Sequence, residues 1–312
     1  MLRLAVVGAI LVGAALASAA GAIPSAKDGP IVYDNSGETS LDIWVMKPDG
    51  SGVRDLTAAE DADDTDPAFS PNSRQIAFVS DRGNDEGNTF VWVMNADGSA
   101  AHKLGGGGIY QAAPAWSPDG KRIAFMRCAR EVEGGGDCST GQIAVIGVNG
   151  KGLKLLTKPL RTAAADSHPS WSPNGKTIVF ERRVSFGNVT VWTVSSDGKA
   201  LKRILDDDSQ DPHVPSFSPS GKQIVYVTDT DGPEAINVMN ANGKDRRKII
   251  EEGTDPDDPG AQGGGVENPA FAPSGKRIVF MAGGDLWVVG LDGKDPVQVT
   301  DDGGDDPDWG RG

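Results

Sequence analysis

The chain has 312 residues, 38% of them hydrophobic, which is enough to bury a sizeable core. Its 44 acidic residues outnumber 30 Lys and Arg, so the net charge at pH 7 is −14. This balance argues against nucleic-acid binding, because phosphate recognition needs a basic surface. An acidic protein instead attracts basic partners or cations.

The N-terminal segment has the pattern of a secretory signal peptide. Met1-Leu2-Arg3 carries one positive charge, an apolar run follows from Leu4 to Ala17, and small residues then allow cleavage after Ala19 or Ala22. The alternative is a membrane anchor, but the run is short for a span of ~20 residues. We therefore predict a signal peptide over 1–22 and a secreted or periplasmic, envelope-associated protein without a membrane span after cleavage.

A repeat occupies the rest of the chain. The motif Pro-x-aromatic-(Ser/Ala)-Pro occurs five times, and each copy is followed by a hydrophobic triplet, an alternating segment, an Asx-Gly turn and a basic apolar segment. These signals predict four strands joined by tight turns. In the first of these copies Ser73 replaces the turn glycine of the others, which predicts mild strain. The motif aromatics are Phe69, Trp116, Trp171, Phe217 and Phe271.

A sixth copy is divided between the two ends of the chain. Asp306-Pro307-Asp308-Trp309 begins it, and its remaining strands stand in Ile31–Thr57. A repeat split in this way predicts a closed ring. The predicted fold is all-β: a monomeric six-bladed β-propeller over residues 28–312, with four-stranded antiparallel blades and the C-terminal strand completing the N-terminal blade.

The repeat resembles that of a known family. The run Pro-Ala-Trp-Ser-Pro-Asp-Gly-Lys-Arg-Ile-Ala-Phe at 114–125 is similar to the TolB-type, WD40-like propeller repeat, and the resemblance extends from Ile31 to Trp309. TolB itself is periplasmic, carries an α/β domain before its propeller, and binds partner proteins of the Tol–Pal envelope system. This sequence has no segment for that domain, so we expect a family member other than TolB.

Two cysteines bracket a glycine-rich segment. Cys128 and Cys138 are the only cysteines in the chain. In an exported protein this spacing predicts a short-range disulfide. Closing so short a loop stabilises by about 2–3 kcal/mol at most.

Acidic residues concentrate just before the predicted innermost strands. The segments that carry them link consecutive blades and share one face of a propeller, where loops on a rigid scaffold often bind ligands. We predict that this acidic face binds a protein or peptide of the cell envelope with basic character; the alternative is that the acids only confer solubility. The predicted partner-binding residues are Asp63, Asp64, Asp66, Asp206, Asp207, Asp208, Asp211, Asp305 and Asp306.

A metal-dependent enzyme is the competing hypothesis. His168 and His213 precede motif prolines in adjacent blades, and with Glu267 and Asp305 they suggest a mixed His–carboxylate site for a divalent cation. Similar propellers occur in hydrolases, some of which hold a cation there. Nucleophile-elbow, phosphate-loop and His-Glu-x-x-His motifs are absent from the sequence. We therefore expect a binding protein without a cofactor, with Ca²⁺ or another divalent cation as the alternative.

Overall fold

The computed structural model describes residues 28–36, 40–58, 61–83, 88–128, 140–158, 164–184, 188–205, 211–229, 233–253 and 265–312. These residues form twenty-four strands in six four-stranded sheets. Over the same ranges, no helix has the length and apolar character needed to cross a membrane. The predicted signal peptide lies outside the described residues.

Each sheet is one blade, and its strands follow one another outwards from the channel. Blade 1 consists of β24 (Asp305–Arg311), β1 (Asp28–Ser36), β2 (Leu41–Met46) and β3 (Arg54–Asp55). Blade 2 consists of β4 (Asp64–Phe69), β5 (Gln75–Ser80), β6 (Phe90–Asn95) and β7 (His102–Lys103). Blade 3 consists of β8 (Tyr110–Trp116), β9 (Arg122–Cys128), β10 (Gln142–Gly147) and β11 (Lys154–Leu155).

The second half of the chain repeats this order. Blade 4 consists of β12 (Ala164–Trp171), β13 (Thr177–Val184), β14 (Asn188–Ser195) and β15 (Leu201–Leu205). Blade 5 consists of β16 (Pro212–Phe217), β17 (Gln223–Thr228), β18 (Ala235–Asn240) and β19 (Arg247–Glu251). Blade 6 consists of β20 (Val266–Phe271), β21 (Arg277–Ala282), β22 (Asp285–Gly290) and β23 (Val297–Gln298).

The hydrophobic core lies between the blades. Each of six buried clusters combines side chains of two neighbouring blades. One of them packs Ile31 and Tyr33 of blade 1 against Val279 and Leu286 of blade 6. The last blade therefore meets the first, which makes blades 1 and 4 opposite each other in the ring.

The last strand completes blade 1, as predicted. Strand β24 pairs antiparallel with β1, and Ile31 stands opposite Trp309. The indole Nε1 of Trp309 donates to the carbonyl of Gly29 at 2.9 Å. The predicted six-bladed, all-β propeller with its ring closed by the C-terminal strand is confirmed.

Every innermost strand carries a β-bulge at its motif proline. In β4, for example, the pairing with β5 skips from Thr65 to Ala68, passing Asp66 and Pro67. A proline has no N–H to give to the ladder, so it is accommodated at a bulge. The residue before each proline takes a left-handed φ between 44° and 53°, and these six residues are Asp66, Ala113, His168, Val214, Asn268 and Asp306.

The turns between third and fourth strands contact the preceding blade. Gly243 has φ +86°, and a Cβ added there would lie 1.9 Å from the carbonyl oxygen of Ile204 in blade 4. The Asx-Gly turn therefore needs glycine both for its backbone conformation and for close approach. In the first-to-second-strand turn of blade 2, Ser73 takes φ +53°, the strained conformation that the sequence predicts.

Two of these glycines allow the cost of a left-handed backbone conformation to be measured apart from the cost of a steric clash. We predict that Gly243→Ala lowers the free energy of unfolding by more than about 2 kcal/mol, because the backbone of the adjacent blade must move. Gly284→Ala is the matched control: Gly284 has φ +88° but nothing within 4 Å of the added Cβ. Its cost should be about 1–2 kcal/mol, from the left-handed conformation alone. Urea unfolding measures the loss in free energy of unfolding for each variant. Equal losses would contradict a clash between the added methyl group at position 243 and the backbone of Ile204.

Candidate functional site

The bulges form a ring of side chains inside the central channel. The six residues that precede the motif prolines come from all six blades, and we call them the bulge ring. They line a cavity of about 360 Å³ that continues to the Ser-Pro turns between first and second strands. The cavity therefore occupies the half of the channel that lies away from the acidic linkers, a placement that the sequence analysis did not foresee.

The wall of this cavity is apolar and rigid. It contains the motif prolines and aromatics, which are mostly buried between blades. The indole Nε1 of Trp116 donates to the carbonyl of Ala68 in the preceding blade at 3.1 Å. Trp171 donates in the same way to Ala115 at 3.2 Å. These two hydrogen bonds between blades hold the indole rings in place, so a ligand would meet a preformed surface there.

In blade 4 the bulge ring carries an ion pair in which the carboxylate is buried and the imidazole is partly exposed. Nδ1 of His168 lies 3.2 Å from Oε1 of Glu181, which follows the hydrophobic triplet on β13. The carboxylate of Glu181 also accepts hydrogen bonds from the hydroxyl of Ser167 at 2.7 Å and the backbone N–H of Val214 at 2.8 Å. Glu181 thus joins the bulge of its own blade to that of the next.

The two charges in blade 4 stabilise each other. Burial by itself would lower the pKa of His168, but the negative charge of Glu181 raises it to about 9. Burial would likewise raise the pKa of Glu181, but His168 and the hydrogen bonds hold that pKa well below its usual range. His168 is therefore an imidazolium at neutral pH, and it contributes a positive charge to the channel.

Opposite this pair, blades 1 and 2 bring four carboxylates together. Asp34 on β1, Asp66 on β4 and Asp305 and Asp306 on β24 interact electrostatically, and the side chains of Asp66 and Asp306 are in hydrogen-bonding contact. We call these four residues the seam carboxylates, because they lie where the two ends of the chain meet.

Several backbone and amide donors hold the seam carboxylates in position. Oδ2 of Asp66 accepts from the N–H of Ala113 at 2.8 Å. Oδ1 of Asp305 accepts from Nδ2 of Asn268 at 2.7 Å. Burial, followed by the charges of Asp66 and Asp305, raises the pKa of Asp34 to about 8. Burial and the charges of its neighbours also raise the pKa of Asp306 well above its ordinary value.

The other predicted partner-binding residues have different surroundings. Asp63 is exposed, and its Oδ1 accepts from the N–H of Leu41 at 3.0 Å. Asp211 borders a second cavity of about 150 Å³ with Arg183, His213 and Asp229. Asp206, Asp207 and Asp208 lie outside the described residues.

Asp64 is not available at the surface, contrary to its predicted role. It is 0% exposed and accepts two hydrogen bonds from Arg82, at 3.2 and 2.5 Å. Asp166 and Arg182 form the same paired arrangement in blade 4, at 2.5 and 2.8 Å. The short sequence from Asp63 to Asp66 thus contains an exposed, a buried and a channel-lining carboxylate.

The residues predicted to hold a metal have other partners. His168 is paired with Glu181, and Nδ1 of His213 is hydrogen-bonded with the carbonyl of Asp211 at 2.9 Å. Burial and the charges of Glu234 and Asp305 raise the pKa of Glu267. Within the described ranges, no three His, Cys, Asp or Glu side chains are placed to hold a metal ion together. The metal-site alternative therefore gains no support from this geometry.

The predicted disulfide involves one described residue. Cys128 ends β9 and is 1% exposed, whereas Cys138 lies outside the described residues. The Cys128–Cys138 bridge stays a prediction.

Asp34 and Glu181 are buried carboxylates beside the bulge ring that the sequence patterns did not single out. Both directly follow the hydrophobic triplet of a second strand, where the other blades have Val79, Met126, Val227 and Met281. An ionisable residue in an otherwise apolar repeat position is the signal that identifies them.

The coupling of His168 to Glu181 predicts a specific change in titration. In Glu181→Gln, burial is no longer opposed by the full negative charge, so the pKa of His168 should fall from about 9 to near or below the ordinary value of about 6.5. NMR titration of the histidine ring protons measures this, with exposed His102 as the internal control.

The same pair gives stability a defined pH dependence. Because the folded pKa of His168 exceeds its unfolded value, its contribution is complete below pH ~6.5 and is lost as the pH rises through about 9. The Glu181→Gln variant should not show this loss of stability at high pH. An unchanged His168 titration in Glu181→Gln would show that another group stabilises the imidazolium.

Comparisons with known proteins agree with the fold. The uncharacterized peptidase YuxL of Bacillus subtilis (strain 168) is 28% identical over 204 residues, covering 63% of this chain and 27% of that protein. A protein TolB homolog of Chlorobium luteolum is 27% identical over 173 residues, covering 53% of this chain and 34% of the relative. The chain thus spans about a third or less of the length of these curated relatives.

The solved structure of TolB from Acinetobacter baumannii matches with a TM-score of 0.70 at 18% identity, covering 92% of this chain and 68% of that one. Identity this low shows a shared fold alone. The model of the family described as TolB beta propeller domain matches residues 24–213, more than half of the sequence. The chain therefore belongs to the TolB beta propeller domain family.

Proposed function

We propose that this protein is an exported, monomeric TolB-like propeller that binds a protein or peptide partner of the cell envelope through the acidic loops at its channel mouth, with the seam carboxylates inside the channel as part of the same site. The observation that carries the proposal is the group of seam carboxylates, two of which line a preformed apolar cavity. A cavity of apolar walls with a few convergent polar groups is the usual form of a ligand site.

The charge of the whole chain supports a basic partner. The net charge is −14, and Asp63, Asp211 and Asp305 lie at the linkers between blades. The sequence adds Asp206, Asp207 and Asp208 a few residues before Asp211. Charges of one sign around a channel raise the local concentration of an oppositely charged ligand and speed its association.

The family supports a binding role and an envelope location. TolB binds partner proteins of the Tol–Pal system in the periplasm, and one matched relative is named a TolB homolog. The signal peptide predicted over 1–22 is consistent with the same compartment. A closed ring has no free sheet edge at its seam, which favours a monomer.

A propeller-type hydrolase is the second candidate, favoured by the similarity to a relative named a peptidase. In this reading His168, His213, Glu267 and Asp305 hold a divalent cation. The pairing of His168 with Glu181 counts against it, because it commits the imidazole to a carboxylate on its own blade.

The test is to express the full sequence in a bacterial host, purify the exported chain and use it as bait for envelope proteins. We expect a specific protein that is retained at low salt and released at high salt, because screening weakens attraction between exposed charges. Mass spectrometry identifies the captured protein and shows whether residues 1–22 have been removed.

Charge-matched variants locate the binding surface. Neutralising Asp206, Asp207 and Asp208 to Asn should weaken capture and reduce its salt dependence. The control replaces Asp245, Asp292 and Asp295 with Asn in the turns between third and fourth strands, at the opposite ends of the strands. Equal effects of the two triple variants would mean that net charge alone governs capture. Capture that does not depend on salt would contradict the acidic-face proposal.

A further inference from the structure

Blades 1 and 4 share a chemical feature that distinguishes them from the other blades. In β1 the run Ile31-Val32-Tyr33 is followed by Asp34, and in β13 the run Ile178-Val179-Phe180 is followed by Glu181. The bulge-ring residues of the same two blades are Asp306 and His168. Two opposite blades thus place a buried carboxylate next to an ionisable bulge-ring residue.

The two positions differ in how their charge is balanced. In blade 4 the carboxylate of Glu181 faces the imidazole of His168 at 3.2 Å. In blade 1 the residue in the place of His168 is Asp306, so a carboxylate faces another carboxylate. Asp66 and Asp305 add further negative charge there. Blade 1 therefore has a carboxylate in the position of Glu181, but a second carboxylate instead of an imidazolium in the position of His168.

A buried atom without a partner marks the same place. Asp34 is 5% exposed, and its Oδ1 has no hydrogen-bond partner. Leaving a buried acceptor unpaired is costly, and the cost rises when the acceptor belongs to a charged group. A positively charged hydrogen-bond donor would pair with this oxygen and would offset the negative charge of the surrounding carboxylates.

We propose that the seam carboxylates form a subsite for a primary ammonium group, supplied by a lysine side chain or a free N-terminus of a bound peptide. This inference rests on the proposed function and names one group of its ligand. The bound ammonium group occupies in blade 1 the position that the imidazolium of His168 occupies in blade 4.

The chemistry of an ammonium group fits the surroundings. It has three N–H donors and no acceptor, and the carboxylates of Asp66 and Asp306 that line the cavity can accept from it. Asp34 does not line the cavity but interacts electrostatically with both of these carboxylates. The methylene stem of a lysine packs well against the apolar prolines and aromatics of the cavity.

Binding should depend on pH in a predictable direction. The ionisable groups around the subsite and its cavity are Asp34, Asp66, Asp305, Asp306, Asp308, Glu267, His168 and Arg311. The pKa of Asp34 is about 8, so its carboxyl is largely protonated at neutral pH. An ammonium group favours the ionised carboxyl, so the affinity for a lysine side chain should rise as the pH increases from about 6 to 8.5.

Three peptides test the subsite by isothermal titration calorimetry with the exported chain. They are acetyl-Ala-Lys-Ala-amide, its norleucine counterpart without the ammonium, and Ala-norleucine-Ala-amide with a free N-terminus. We expect the lysine peptide to bind at least about tenfold more tightly than the acetylated norleucine peptide, because a charge-assisted hydrogen bond contributes a binding free energy of that size. Comparison with the third peptide shows which ammonium source is preferred.

Variants assign the effect to the seam carboxylates. Asp306→His reproduces the His–carboxylate pair of blade 4, so the lysine preference should fall by about tenfold while the fold is retained. Asp34→Asn, a change of similar shape, should weaken binding in the same direction and reduce its pH dependence. Asp301→Asn is the control, because this residue is exposed. Circular dichroism confirms folding of each variant.

Defined outcomes would overturn the assignment. Equal affinities for the lysine and norleucine peptides, absence of binding by every peptide, or full lysine binding by Asp306→His would each do so. Binding of Ca²⁺ in place of the lysine peptide would assign the carboxylates to a metal instead. If the bait still captures a salt-sensitive protein when the lysine peptide does not bind, the subsite fails and the proposed function stands.

Discussion

The pairing of β24 with β1 is the contact on which the rest of the structure depends, because it joins the last blade to the first. Without it, one blade would lack its inner strand and present an unpaired edge to solvent. The chain ends also bind both neighbouring blades: Oδ2 of Asp308 accepts from the N–H of Phe69 at 2.7 Å, and Arg277 contacts Asp28 at 3.0 Å. Closure therefore positions blades 2 and 6 as well as blade 1.

Closure also explains why carboxylates cluster at the seam. It brings Asp305 and Asp306, from the end of the chain, beside Asp34 near its beginning and Asp66 in blade 2. The hydrophobic contacts and backbone pairing of the seam must outweigh the repulsion among these carboxylates. Raised pKa values reduce that repulsion, because partly protonated carboxyls carry less charge. A bound cation would remove more of it.

Among the other described residues, several buried charges are balanced within the protein. Asp64 is paired with Arg82 and Asp166 with Arg182, and the two guanidinium groups lie over the rings of Trp92 and Trp192. Glu181 is paired with His168. Such pairing is the general rule, because an isolated buried charge is strongly unfavourable. The seam carboxylates depart from this rule, and departures of this kind concentrate at functional sites.

The sequence by itself determined the fold, because the signals for strands and turns are local and recur in every repeat. Proline at the bulge, glycine in the Asx-Gly turn and the divided sixth copy each have a direct backbone reason. The sequence also identified the acidic segments and the resemblance to the family. Only the tertiary structure decided which acids are exposed, buried or in the channel. Asp63, Asp64 and Asp66 look alike in sequence, but the bulge at Asp66 and Pro67 interrupts the alternation of side chains along β4. The pairing of His168 with Glu181, and the meeting of Asp34 with Asp306, depend on strand register and ring closure, which bring together residues from separate strands.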